Sequence, residues 1–281
     1  MLTEIVDENS QTFQQILAHL RRNVEQCLYI YIDLVKYGLR NPSMKLWAGS
    51  DDGDIQMVVM KYHDSFQIFA GAGRWQEQDV AALISRYQPG RISGSEDVIR
   101  RLEDMVAADY DSVYGKIFCG RESRLLKTEA RRCETAGPAD IPEIVALLRT
   151  DREFREQYTD EELQKQMEER YRTGMGRSFI LRQEGRIIGH IGTFAEVEDI
   201  AILSGTVVHK DFRHTDAFAS LSEEVFQILC REEGKRVYYF ITNRRMLSLY
   251  SRINPPCASY GKLMKRRRED EMKVRRQTDG D

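Results

Sequence analysis

The sequence predicts an α+β protein of two consecutive domains, each a mixed, mostly antiparallel β-sheet flanked by helices. Short runs rich in β-branched and aromatic residues alternate along the chain with segments whose apolar residues recur at helical spacing. The order helix, helix, three strands, helix, strand, helix, strand is found in both halves. A length of 281 residues suffices for two domains of ordinary size.

Charged residues are nearly balanced, with 42 Lys and Arg against 45 Asp and Glu and a formal net charge of −3. Without a broad basic field, nucleic acid is not expected as the main partner. Residues 1–10 are acidic and polar, unlike a signal peptide, and no apolar run approaches membrane-spanning length. We therefore expect a cytoplasmic protein that does not insert into a membrane.

The cysteines are odd in number, scattered and without the spacing of metal ligands. We expect reduced thiols, which suits the cytoplasm, and no bound metal. The residues are Cys27, Cys119, Cys133, Cys230 and Cys257.

The N-terminal half, residues 1–125, is predicted to form the first domain. Helices are expected at 7–21, 23–37, 76–87 and 96–107, and strands at 45–49, 55–62, 65–70, 91–94 and 112–119. The acidic segment 51–54 resembles the start of a calcium loop, but Tyr62 stands where that loop needs a glutamate, so we predict a hairpin turn. The charged segment 120–128 is the expected connection to the second domain.

The C-terminal half, residues 126–265, is predicted to form the second domain. Strands are expected at 131–134, 178–182, 186–194, 199–208, 237–241 and 258–264, and helices near 141–148, at 160–172, from Ala217 towards Gly234, and at 246–253. Residues 266–281 form a charged tail of mixed sign, interpreted as a solvated terminus with a weak nucleic-acid contact as the minor alternative.

The C-terminal half is organised around a strand that leads through a polar loop into an amphipathic helix. Gly205, inside the strand, predicts a bulge or a close approach of another chain or ligand. The first N–H groups of a helix lack internal partners and carry partial positive charge, so such a unit can bind an anion. An ordinary capped strand–loop–helix remains the alternative.

The segment from Val207 to Arg213, with the helix that follows it, resembles motif A of the GCN5-related N-acetyltransferases (GNAT). Residues 179–192 look like the family's second and third strands, and Leu249-Tyr250-Ser251-Arg252 is similar to its Leu-Tyr-x-Lys/Arg pattern. The resemblance covers about residues 130–265 and implies that the loop holds the pyrophosphate of acetyl-CoA. The residues implied to contact acetyl-CoA are Val207, Val208, Arg213, His214, Thr215, Asp216, Ala217, Phe218, Ala219, Asn243 and Tyr250.

The loop departs from the family pattern at its glycines. Those positions hold Asp216 and Phe218, or Asp216 and Ala219 if one residue is inserted. A carboxylate repels phosphate, and Thr215 or Asp216 as helix cap would occupy the N–H groups that a phosphate needs. After the Leu-Tyr pattern, Asn254-Pro-Pro stands where the family usually has Gly-Phe.

The resemblance also implies catalytic roles. Tyr250 would protonate the departing thiolate, with an aromatic packing role as the alternative. Glu198 is chosen as the base, from the acidic group that it forms with Glu196 and Asp199, although these acids also suit a solvated turn. His190 and His209 are alternative bases, and a single histidine more often has a structural role. A backbone N–H near Val207 or Val208 would polarise the thioester carbonyl.

Two functions remain open from the sequence. The first is an acetyl-CoA-dependent N-acyltransferase that acts on a small or amino-acid-like amine, as a monomer or homodimer. The second is a degenerate GNAT-like ligand-binding or regulatory module. The N-terminal half is predicted to be an incomplete GNAT-like domain, in which Gly71-Ala-Gly-Arg74 would stand at the phosphate loop.

Overall fold

The computed structural model describes residues 2–51, 53–71, 75, 77–120 and 132–266. Their contacts divide the chain into two compact units. The first unit is Met1–Ile117 with Thr242–Leu247 and Cys257–Asp281, and the second is Phe118–Ile241 with Ser248–Pro256.

The strands follow the predicted order, with a short extra strand at the beginning. They are β1 (Thr3–Ile5), β2 (Met44–Asp51), β3 (Asp54–Tyr62), β4 (Ser65–Ala70), β5 (Arg91–Ser95), β6 (Tyr110–Gly120), β7 (Glu134–Thr135), β8 (Ser178–Gln183), β9 (Arg186–Val197), β10 (Ile200–Val208), β11 (Arg236–Ile241) and β12 (Ala258–Lys265).

The helices also follow the predicted order, with one that the sequence analysis did not anticipate, α6. They are α1 (Gln11–Arg22), α2 (Val24–Tyr37), α3 (Glu77–Tyr87), α4 (Glu96–Val106), α5 (Ile141–Leu148), α6 (Arg152–Gln157), α7 (Asp160–Thr173), α8 (Ala217–Phe226) and α9 (Arg244–Ile253). A π-helical turn, Gln227–Glu232, continues α8. Within the described ranges, no helix is long and apolar enough to cross a membrane.

Local signals set several of these boundaries. The Ser10 side chain accepts a hydrogen bond from the backbone N–H of Phe13 at the start of α1, 3.2 Å away. Thr159 and Glu162 form a reciprocal capping box at the start of α7, and Gly174 ends that helix at φ 64°. Asp51 pairs with Asp54, so β2 and β3 form the predicted hairpin.

The first unit contains the strand order β1-β2-β3-β4-β5-β12-β6. Neighbours are antiparallel except β4 and β5, which are parallel. Its core includes Trp47, Phe66, Ile99 and Leu263, all buried. The strand expected at 258–264 in the C-terminal domain therefore lies in the first unit as β12, between β5 and β6.

The second unit contains the strand order β11-β10-β9-β8-β7. Only β10 and β11 are parallel in this set. One core cluster lies on the side of α5 and α7 and includes Ile144 and Leu148, and another lies on the side of α8 and includes Leu221 and Val237. Both faces of this sheet are thus covered, so its central strands are apolar almost throughout.

Some predictions fall outside the described residues. These are Ala72 to Arg74 of the glycine-rich segment, most of the connection at 120–128, Arg131 of the strand expected at 131–134, and the tail after Arg266. The boundaries predicted for the two domains stay a prediction.

Candidate functional site

Strand β10 separates from β11 after a short parallel pairing. The pairs run from Ile200 with Arg236 to Ile202 with Tyr238. β10 then continues to Val208 paired with β9. The second half of β10 therefore has one edge that β11 does not cover, and we call this gap the β10–β11 opening.

A bulge lies in β10 at this opening. Ser204 pairs with Gly192 and Val207 with His190, so Gly205 and Thr206 together stand opposite one residue of β9. Gly205 has φ 67°, a left-handed conformation that favours glycine. The bulge expected at Gly205 is confirmed. A Cβ atom there would lie 3.2 Å from Cε1 of His190, a residue of the same chain.

His190 is buried directly behind the bulge, with 2% of its surface exposed. Its Nδ1 lies 2.6 Å from the carbonyl oxygen of Gly205 and its Nε2 lies 3.0 Å from Ser178 Oγ. Burial lowers the pKa of His190 to about 4, and the charge of Arg170 acts in the same direction. His190 is therefore neutral near pH 7, with both ring nitrogens hydrogen-bonded.

His209 directly follows β10 and belongs to the loop structure. Its Nε2 lies 2.9 Å from Nη2 of Arg186, which can only donate, and its Nδ1 lies 3.5 Å from Asp211 Oδ2. It is 9% exposed. These contacts give His209 a structural role at the start of the loop.

The loop between β10 and α8 is compact and closed by its own side chains. It begins with a 3₁₀ turn, Lys210–Phe212. Arg213 Nε donates to the carbonyl oxygen of Val208 at 3.1 Å. The Thr215 hydroxyl donates to the carbonyl oxygen of Phe212 at 2.7 Å and accepts from the Ala217 N–H at 3.2 Å. One N–H group of the helix start is thus occupied, as the capping alternative predicts.

The next two N–H groups of the helix, unlike that of Ala217, are not bonded to the loop residues, all of which the structure describes. Among the residues that the structure describes, no hydrogen-bond acceptor is found for the amides of Phe218 and Ala219. Asp216 precedes the helix at φ −75° and ψ 0°, and its side chain makes no capping hydrogen bond. His214, Thr215 and Asp216 are exposed. The loop therefore offers two helical amides beside one carboxylate.

The acidic residues between β9 and β10 have different surroundings. Glu198 is exposed in the two-residue turn, at φ 48°. It lies seven residues before Gly205, which is roughly 23 Å along an extended strand. Glu198 thus lies at the paired end of β10, and its role as the base stays a prediction.

Glu196 belongs to an ion-pair cluster. Its side chain is 8% exposed and contacts Arg177 at 2.8 Å and Lys235, while Glu233 bonds to the same two cations. Burial raises the pKa of Glu196, but hydrogen bonds from Arg177 and Lys235 outweigh it, so the pKa is lowered overall. Glu196 is therefore an ionised structural residue that links β9 to the start of β11.

Tyr250 lies on α9 in an aromatic cluster. Its ring centroid is 5.3 Å from that of Tyr239 and 6.0 Å from that of Phe118. Burial raises its pKa to about 12. The aromatic packing that was the alternative interpretation is present, and the phenol keeps its proton at neutral pH.

The two asparagines near α9 have structural contacts. Asn243 Oδ1 accepts from the N–H groups of Arg245 and Met246 at 3.0 and 3.2 Å, which caps the helix. Asn254 Nδ2 donates to the carbonyl oxygen of Cys119 at 2.6 Å. Asn254 therefore holds the chain directly after the helix.

Comparison with solved structures identifies the architecture. A GCN5-related N-acetyltransferase from Sphaerobacter thermophilus matches with a TM-score of 0.60 and 14% identity, over 94% of this chain and 95% of that one. A tandem GNAT protein from the clavulanic acid biosynthesis pathway, solved without AcCoA, matches with a TM-score of 0.57 and 12% identity, over 94% and 97%. The chain has the GNAT fold.

A third structure, an acetyltransferase of the GNAT family from Colwellia psychrerythraea, matches with a TM-score of 0.56 and 10% identity, over 95% of this chain and 100% of that one. No family model matches the sequence, and no curated protein matches it. The predicted fold class, tandem GNAT-like domains with mixed, mostly antiparallel sheets, is confirmed.

In this GNAT fold the structure brings some of the expected residues together. Val207 and Val208 lie in the bulged strand, and residues 213–219 form the loop and helix start that follow it. The sequence did not indicate the hydrogen bond between Ser178 and His190. This bond joins β8 to β9, and the residue pattern of neither strand alone predicts it. The two glycines Gly192 and Gly205 could have been a signal, since each makes room for the ring of His190.

Proposed function

We propose that the protein is an acetyl-CoA-dependent N-acyltransferase. It would transfer an acetyl group to the amine of a small or amino-acid-like molecule, by direct attack of the amine on the thioester. The observation that carries the proposal is the course of β10, which leaves β11, bulges at Gly205 and runs directly into the start of α8. This gives an open strand edge next to a helix N-terminus, within one unit.

The loop would hold the pyrophosphate of acetyl-CoA, which carries the acyl group as a thioester. The amides of Phe218 and Ala219 supply donors, and the partial positive charge of the helix start favours an anion. Arg213 uses Nε for the bond to Val208, so the rest of its exposed guanidinium is available for a phosphate. These donors fit the pyrophosphate, although the carboxylate of Asp216 repels its negative charge.

The catalytic residues would be Tyr250 and Glu198. Tyr250 remains a phenol at neutral pH and would give its proton to the departing sulfur. Glu198 would take the proton of the attacking amine. Since the turn of Glu198 is distant from the bulge along β10, this transfer would pass through water.

The second candidate function is a GNAT-fold module that binds a ligand with little or no acetyl transfer. The observation that favours it is the loop itself: Thr215 occupies the Ala217 amide, and Asp216 places a carboxylate at the start of α8. Both features weaken a phosphate site without disturbing the fold.

Titration calorimetry with CoA tests the binding site. We expect measurable heat for the natural chain and weaker binding for Arg213→Ala. Arg231→Ala, an exposed arginine at the other end of the same helical segment, is the matched control and should bind as the natural chain does. No heat at millimolar CoA would rule out the acyltransferase and leave the ligand-binding module.

The reverse substitution should strengthen binding. Asp216→Gly removes a negative charge beside the phosphates, and we expect several-fold tighter CoA binding together with a loss of roughly 0.3–1 kcal/mol of helix stability. Asp216→Asn separates charge from backbone effects, because it removes the charge alone. Unchanged affinity in both variants would show that the phosphates do not bind at this helix start.

A further inference from the structure

The ring of His190 occupies a slot between two glycines. A Cβ atom added to Gly192 would lie 3.1 Å from His190 Cε1, and one added to Gly205 would lie 3.2 Å from the same atom. Any side chain at either position would press on the ring. The two glycines and the buried histidine therefore form one packing unit that joins β9 to the bulge of β10.

The partners of His190 determine its tautomer. The carbonyl oxygen of Gly205 can only accept, so Nδ1 must carry the proton and donate to it across 2.6 Å. Nε2 is then unprotonated and accepts from the Ser178 hydroxyl at 3.0 Å. The ring has one defined tautomer and one defined orientation.

The hydrogen bond from His190 to the Gly205 carbonyl also fixes the direction of the Thr206 N–H group. The carbonyl of Gly205 and the N–H of Thr206 belong to the same planar peptide group and point in opposite directions. The backbone N–H of His209 donates to the carbonyl oxygen of Ile188 at 2.8 Å, so by alternation Val207 also directs its N–H towards β9. Thr206, between Gly205 and Val207, lies outside that ladder.

We propose that His190 is a positioning residue that holds the Gly205 carbonyl and thereby turns the Thr206 N–H into the β10–β11 opening. There the Thr206 N–H would donate to the thioester carbonyl oxygen, in place of the Val207 N–H, which points towards β9. This inference rests on the proposed function. His190 would then not act as the catalytic base, because both of its ring nitrogens are hydrogen-bonded and neither is available to an amine.

Two substitutions separate positioning from base catalysis. The amide nitrogen of asparagine can occupy the place of Nδ1, so His190→Asn keeps the donor to Gly205 but removes any base. Leucine is close in size to histidine, and His190→Leu has neither the donor nor a base. We expect His190→Asn to retain kcat within a few-fold, and His190→Leu to lose about 10²-fold in kcat, the cost of one lost carbonyl donor, with little change in the KM for acetyl-CoA. Equal, large losses in both variants, with folding shown by thermal unfolding, would overturn positioning.

Nuclear magnetic resonance provides a readout independent of activity. In the natural full-length protein, the ¹⁵N signals of His190 should show a proton on Nδ1 and no titration between pH 5 and 8, where Arg170 is the nearby charged group. A proton on Nε2, or a ring that titrates in this range, would overturn the role of His190 whatever the activity of the enzyme.

Comparison of two ligands then tests Thr206. Acetyl-CoA should shift the Thr206 amide signal more than CoA does, because only the former carries the carbonyl. If other amides of the loop move and Thr206 does not, Thr206 is not the donor and the inference is wrong, while the binding site stands. If no amide moves with either ligand, the proposed function itself fails.

Discussion

Asp33 shows how one buried residue can link stability to pH. It is 5% exposed, and the Gln67 side chain donates to its Oδ2 at 2.7 Å. Burial raises its pKa to about 6, and the hydrogen bond from Gln67 only partly opposes this. The folded state therefore binds a proton more tightly than the unfolded chain does. The stability gained in this way is complete below pH 4 and is lost as pH rises through 6.

We predict that Asp33→Asn stabilises the protein at pH 7 by up to about 3 kcal/mol, since the neutral amide avoids the cost of burying a charge. The new amide group can also donate to Gln67 Oε1, which is buried and has no partner among the described residues. Denaturant unfolding from pH 4 to 8 measures this. Asp104→Asn, an exposed control on α4, should change the free energy of unfolding by less than about 0.5 kcal/mol. Equal behaviour of the two variants would contradict the account.

Tyr250 should matter mainly in the transition state. If its phenol protonates the thiolate, Tyr250→Phe will lower kcat at least about tenfold and leave the KM for acetyl-CoA nearly unchanged. Tyr239→Phe in the same aromatic cluster is the matched control and should keep kcat. Steady-state kinetics, under conditions where chemistry limits the rate, measures both. An unchanged kcat in Tyr250→Phe would leave this residue with its packing role.

The sequence predicted the loop between β10 and α8 better than it predicted the hydrogen bonds and ion pairs between distant residues. The sequence predicted the bulge at Gly205, a helix cap at Thr215 or Asp216 and a helix beginning at Ala217, because turn and cap chemistry act over a few neighbours. It could not connect Ser178 to His190, or Arg177 to Glu233, since these partners come together only through strand register and helix packing.

At the scale of single elements, β12 depends on distant partners. It pairs with both β5 and β6 in the first unit, and it buries Tyr260 and Leu263. Gly261 lies so close to α4 that a Cβ atom would come within 2.9 Å of Ile99. The last described strand of the chain therefore completes a sheet made mostly from its first half.

We predict that deleting residues 257–281 destabilises the first unit, because β5 and β6 then lose a shared neighbour and expose backbone groups. Hydrogen exchange should show lost protection in β5 and β6. Deletion of 267–281 alone keeps β12 and is the control, with protection unchanged. Retained protection after the longer deletion would contradict the pairing.

Element types and boundaries were largely predictable from periodicity and caps. The strand at 65–70 was predicted with its observed bounds, and the helices at 23–37 and 160–172 to within one residue at each end. The partners of β12 were not predictable, since alternation determines which face of a strand is buried but not which strand lies beside it. Strand β1 and helix α6 are too short for a periodic signal.

At the scale of the whole molecule, the order of elements carried more information than any motif. The same succession in both halves predicted tandem GNAT-like domains, and solved GNAT structures with only 10–14% identity match over 94–95% of the chain. Function therefore has to be argued from the site and tested there.

A crystal structure of the full chain with acetyl-CoA tests the central claim most directly. The account predicts the pyrophosphate at the amides of Phe218 and Ala219 beside Arg213, and the thioester carbonyl in the β10–β11 opening next to Thr206. Acetyl-CoA bound elsewhere, or a β10–β11 opening that stays empty at saturating ligand, would contradict it.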